Sequence, residues 1–150
     1  MRTANRVFSL FLIAVFVLSL FSFQLREVQA SVALDIVISQ VYGAGGNSGA
    51  LLNQDYIEIF NRGTTTISLS GLSLQYASAT GTGNFGSSDN QITLLSGSND
   101  TGKYFLVGGA PGSNGSPIPT PDFTETTTLP IALGATAGKI ALVNSTSSLG

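Results

Sequence analysis

From residue 34 onward, apolar positions recur in short runs with a period of two. Glycine, asparagine, aspartate or proline bounds each run. A period of two puts alternate side chains on one face of an extended chain, the signature of a half-buried strand. The pattern predicts strands over 34–42, 55–60, 64–69, 72–76, 91–95, 103–107 and 139–143, with a further short one over 129–133. Leu72, Leu74 and Tyr76 share one face of the fourth. Asn61-Arg62-Gly63 and Ser70-Gly71 read as turns, because Asn and Gly tolerate a left-handed backbone. Residues 96–102 read as another turn. Three longer connections, 43–53, 77–90 and 108–122, are polar and rich in small residues. The last contains Pro117-Ile118-Pro119-Thr120-Pro121, which cannot be a central strand because proline has no amide hydrogen to donate. No helical period appears after residue 30. Seven or eight short strands with turns between them predict an all-β chain, a β-sandwich of immunoglobulin-like type.

Residues 1–30 follow a different rule. Arg2 and Arg6 precede an apolar run from Val7 to Phe23, broken only by Ser9, Ser19 and Ser22. Val28-Gln29-Ala30 then puts small side chains at the two positions a signal peptidase inspects. The expectation is a signal-peptide helix over 1–30, cleaved between Ala30 and Ser31, followed by one domain over 31–150. An uncleaved anchor is the alternative, although the run is at the short edge of the roughly 20 residues a span requires. At the other end, Ile140-Ala141-Leu142-Val143 is a buried-type strand, and 144–150 follows with no charged tail. The expectation is a fragment whose missing strand or hairpin leaves an open sheet edge.

Composition narrows the chemistry. The 150 residues include no cysteine and no histidine, and charged residues are only 9%. Secretion without cysteine suits a bacterial exported protein better than a disulfide-stapled one. Beyond the leader, Arg62, Lys103 and Lys139 face seven acidic residues. Three scattered bases cannot neutralise a run of phosphates, so direct nucleic-acid binding is not expected. Without His or Cys, neither a Ser-His-Asp nor a Cys-His nucleophile can be assembled, and a Ser-Lys pair has no support from spacing. Zinc lacks its usual ligands. Asp89 with Asn90, and Asn99 with Asp100, offer oxygen for calcium, but side-chain turn formation is the better reading. Gly81-Thr82-Gly83-Asn84-Phe85-Gly86 matches a dinucleotide fingerprint, yet no helix follows to face a phosphate. Asp55 and Glu58 are an odd number of residues apart, so a regular strand points them to opposite faces. Glu58 is expected to be partly buried and to pair with Arg62 or Lys103, or with backbone. Asn99, Asn114 and Asn144 open N-glycosylation sequons, which arise by chance in so Ser/Thr-rich a chain. No catalytic residue, cofactor or metal ligand is assigned.

Several blocks, in order, resemble the lamin tail domain of bacterial secreted type. They are Ile36-Val37-Ile38-Ser39-Gln40-Val41-Tyr42-Gly43 with Gly45-Gly46-Asn47, and Asp55-Tyr56-Ile57-Glu58-Ile59-Phe60-Asn61-Arg62-Gly63. Then come Leu69-Ser70-Gly71-Leu72-Ser73-Leu74-Gln75-Tyr76 and Gly102-Lys103-Tyr104-Phe105-Leu106-Val107. Pro119-Thr120-Pro121-Asp122 and Ala137-Gly138-Lys139-Ile140-Ala141-Leu142-Val143-Asn144 close the set. Where the family usually has Trp after its Leu-Ser-Gly turn, this chain has Leu72. The family's closing strands are not present. The resemblance implies an immunoglobulin-like sandwich that binds or targets rather than catalyses, often attached to secreted nucleases and phosphatases. Three roles follow as expectations: a binding or targeting module, an accessory domain of an enzyme whose catalytic part lies beyond Gly150, or a structural spacer. Contacts are expected through 43–53, 77–90 and 108–122. Localisation is expected to be secreted or at the cell envelope, with membrane contact only through the uncleaved leader.

Overall fold

The computed structural model describes residues 35–79, 85–86, 91–124 and 131–149. The leader, its expected cleavage site at Ala30 and Ser31, Asp89 with Asn90, and most of the glycine fingerprint lie outside the described residues.

The described residues form nine strands: β1 (Ile36–Tyr42), β2 (Tyr56–Asn61), β3 (Ile67–Ser68), β4 (Ser73–Ser78), β5 (Ile92–Leu94), β6 (Ser98–Asn99), β7 (Tyr104–Gly108), β8 (Phe123–Thr124) and β9 (Gly138–Val143). One sheet has the order β1-β2-β7-β8 and the other β5-β4-β9, while β3 and β6 form a two-stranded ribbon. All pairs are antiparallel except β7 with β8. The alternating sequence explains the two layers. Ile57 and Ile59 on β2, and Phe105 and Val107 on β7, meet Leu72, Leu74 and Tyr76 from the second sheet in one apolar core. This is the immunoglobulin-like sandwich the pattern predicted. Leu72, at the position where the resemblance expects Trp, is 2% exposed and remains a core plug.

Some expected elements change. Residues 96–102 are not only a turn, because Ser98 and Asn99 pair with Ser68 and Ile67. The predicted strand over 64–69 shrinks to two residues. Residues 131–133 of the expected 129–133 strand form no ladder, although Ile131 and Leu133 are buried. They fill the core from a loop, so burial rather than pairing explains their apolar character. Asn61 ends β2 instead of opening a left-handed turn. Its buried amide donates to Thr65 O and Asn99 O, and its oxygen accepts from Gly63 N. The short strands beyond β2 are thereby tied to it.

Residues 144–149 fold back over β4 rather than continuing β9 outward. Ser73 Oγ donates to Ser145 O at 2.6 Å, and Gln75 Nε2 donates to Ser147 O at 2.8 Å. Leu149 N returns a 3.0 Å bond to Gln75 Oε1. This wrap buries two polar residues, Ser73 and Gln75, on the outer face of the second sheet.

Candidate functional site

The outer face of the four-stranded sheet carries the features that could meet a ligand. On β2 the alternation sends Ile57, Ile59 and Asn61 inward, so Tyr56, Glu58 and Phe60 point out. Register then sets their neighbours. Tyr56 pairs with Tyr42 and Gly108, Glu58 with Gln40 and Leu106, and Phe60 with Tyr104. The Tyr42 and Tyr56 rings stack at 5.6 Å and 10°. Phe60 and Tyr104 meet at 4.8 Å in a tilted pair. Tyr104 is 61% exposed.

A groove of about 230 Å³ runs over this face. Gln40, Tyr56, Glu58 and Leu106 line it from the sheet, and Leu52 with residues 117–119 line it from the loops. The proline-bounded strap joins no strand, and its residues 117–119 line the groove from outside the sheet. Among the described residues, Glu58 is the only charged side chain lining the groove. Its Oε1 accepts a 2.7 Å bond from Ser39 Oγ, which also donates to Glu58 O at 3.1 Å. Ser39 reaches Glu58 because a register shift between Ile38 and Gln40 adds a residue to β1. The partner of Glu58 is therefore Ser39, in place of the Arg62 or Lys103 expected from sequence. Burial first, then the Glu58 carboxylate and then Tyr42, push the Tyr56 phenol above its ordinary value.

The loops beside the groove are held by backbone. Loop 43–53, polar and rich in small residues, is zipped to 108–122. Gly112 N donates to Asn53 O, Asn53 N to Ser116 O, and Ser116 N to Leu51 O. Gly46 pairs with Asn114, and Leu52 with Ser116, as isolated bridges. The crossing needs glycine. A Cβ on Gly45 would lie 1.9 Å from the Gln54 carbonyl carbon, and one on Gly46 would lie 2.6 Å from Gly112 Cα. Tyr42 OH accepts from Leu52 N at 3.2 Å and joins this loop pair to the sheet face. Most of loop 77–90 lies outside the described residues.

Asp55 and Glu58 do not converge. Asp55 precedes β2, turned away from Glu58. Its Oδ1 accepts from Gly45 N and its Oδ2 from Leu133 N, both at 2.7 Å. Asn99 is buried and its carbonyl serves Asn61, while Asp100 accepts from Thr66 Oγ1 at 2.8 Å. Both act in turn and ladder geometry. Among the described residues, no three acidic, His or Cys side chains gather as a metal site would require. Gly86 N donates to Tyr76 O, so the one described corner of the glycine fingerprint is engaged with strand β4. The chain has no imidazole or thiol, and the carboxylate at the groove, Glu58, is engaged by the Ser39 hydroxyl, so the side chains there can bind and orient a ligand. The sequence reading missed the groove. The alternation of β2 was its only local sign, and Gln40, Leu106 and the strap come from distant segments.

A family model described as Lamin Tail Domain matches residues 29–149. No curated protein and no solved structure matches the chain.

Proposed function

Because this chain belongs to the lamin tail domain family, an immunoglobulin-like and non-catalytic kind of module, we propose that it binds or targets on behalf of a secreted or cell-surface bacterial protein. The observation that supports this most is the groove on the outer sheet face. It offers the Tyr56 ring, apolar walls and the Glu58 carboxylate. A rigid sandwich presenting an uneven surface beside hydrogen-bonded loops suits recognition. The leader's charged, apolar and small-residue order supports export.

The test has two arms. The full chain is expected to be retained on a cell-envelope preparation and to be eluted by excess envelope extract. It is expected to show no turnover of bis(p-nitrophenyl) phosphate with magnesium or manganese. Hydrolysis that persists through repurification would replace the binding role with catalysis. Absence of retention would leave the spacer role.

A further inference from the structure

We infer that the groove over β2 takes the arginine or lysine side chain of an extended partner polypeptide. This deepens the binding role and rests on it. Three observations lead there. First, Glu58 supplies a negative charge with no basic side chain lining the same groove. Ser39 holds Oε1 by one bond, and Oε2 makes no hydrogen bond among the described residues. A carboxylate with one oxygen fixed and the other open is positioned to accept from a cationic donor. Second, the walls are apolar and aromatic, with Tyr56 on one side and Leu52, Leu106 and Ile118 around it. Such walls suit the carbon stem of a long basic side chain, and tyrosine adds attraction for its cationic head. Third, about 230 Å³ falls below the roughly 300–1,000 Å³ typical of small-molecule pockets, so a single side chain fits better than a whole ligand.

The neighbouring surface says why the donor belongs to a polypeptide. Phe60 and exposed Tyr104 form an aromatic platform two residues further along the same face as Glu58 and Leu106. Two residues of strand span about 7 Å. An extended peptide lying along β2 would place a basic residue at Glu58 and the residue two positions away on the Phe60–Tyr104 platform. The larger open hollow of about 490 Å³ near β6 and β7 fits less well, because Lys103 shares it with Asp100 and Asp122.

The probe is a fluorescein-labelled pentapeptide, Ser-Arg-Ser-Tyr-Ser, read by anisotropy with the full chain. Saturable binding is expected. Glu58→Gln keeps an acceptor for Ser39 and removes the charge, so it should weaken binding about ten- to a hundredfold, as loss of a charge-assisted bond does. Replacing the peptide's arginine with glutamine should have the same effect, and Tyr104→Ala a smaller one. Absence of saturation, or equal affinity for Glu58→Gln and the parent chain, would overturn the inference. So would competition by free arginine amide as effective as that of the peptide, which would make the ligand a small cation. If envelope retention persists while the peptide fails to bind, the peptide assignment falls and the binding role stands. If both fail, the role itself falls.

Discussion

Asp55 joins three segments through three oxygen atoms. Its carboxylate takes the Gly45 and Leu133 amides, and its carbonyl takes the Gly109 amide at 2.8 Å. Asp55→Ala would strand two part-buried donors and is expected to lower unfolding free energy by about 3 kcal/mol, given roughly 1.5–3 kcal/mol for each bond to a charged group. Urea denaturation measures this; a midpoint like that of the parent chain would show that water replaces the carboxylate without loss. Tyr56 gives a pH-dependent counterpart. Folding raises its pKa above the ordinary 10.0 by burial, with Glu58 adding to the effect. The folded chain therefore holds this proton after the unfolded chain begins to release it. The associated stability is complete below about pH 10 and is lost as pH rises through the folded value. Tyr56→Phe should show a shallower decline in stability above pH 10 than the parent chain; identical slopes would place the alkaline sensitivity elsewhere.

At the scale of elements, strand existence was legible and short pairing was not. β1, β2, β4, β7 and β9 fall where alternation predicted them. Each has enough residues for the pattern to repeat. β6 and β8 have two residues each, too few to show any period, and both depend on a partner strand from elsewhere in the chain. The segment after β9 is the clearest case. Nothing local in Ser145 to Leu149 marks it as packed, yet it covers β4 because Gln75 can both donate to it and accept from it. Gln75→Ala is expected to free this segment and to speed its removal by carboxypeptidase several-fold, with a loss of about 1–3 kcal/mol in stability as buried partners go unpaired. Unchanged digestion would mean that the remaining contacts, among them the bonds of Ser73 to Ser145 and of Ser148 to Phe85, hold it without Gln75.

For the whole molecule, one apolar interior between two sheets accounts for stability without a disulfide, since the chain has no cysteine. A domain of the 120 residues from 31 to 150 can bury enough surface for that. The groove is likewise a property of the assembled domain, because its lining comes from β1, β2, β7 and two loops. In a host with a general secretion route, the recovered protein is expected to begin at Ser31; amino-terminal sequencing that starts at Met1 would replace cleavage with a retained leader.

What the sequence determined alone was the class of fold and the absence of imidazole and thiol groups. Both are local or compositional: a period of two selects faces, and absent imidazole and thiol groups cannot be supplied by folding. Tertiary structure decided which outward residues became neighbours. Glu58 could be placed on a face from its own strand, but its bond to Ser39 required the irregular register of β1. The strap at 117–119 shares the groove with Tyr56 in a structure where backbone bonds tie loop 43–53 to 108–122. Such pairings depend on backbone hydrogen bonds between segments far apart in the chain, and no local pattern of side chains encodes that distance.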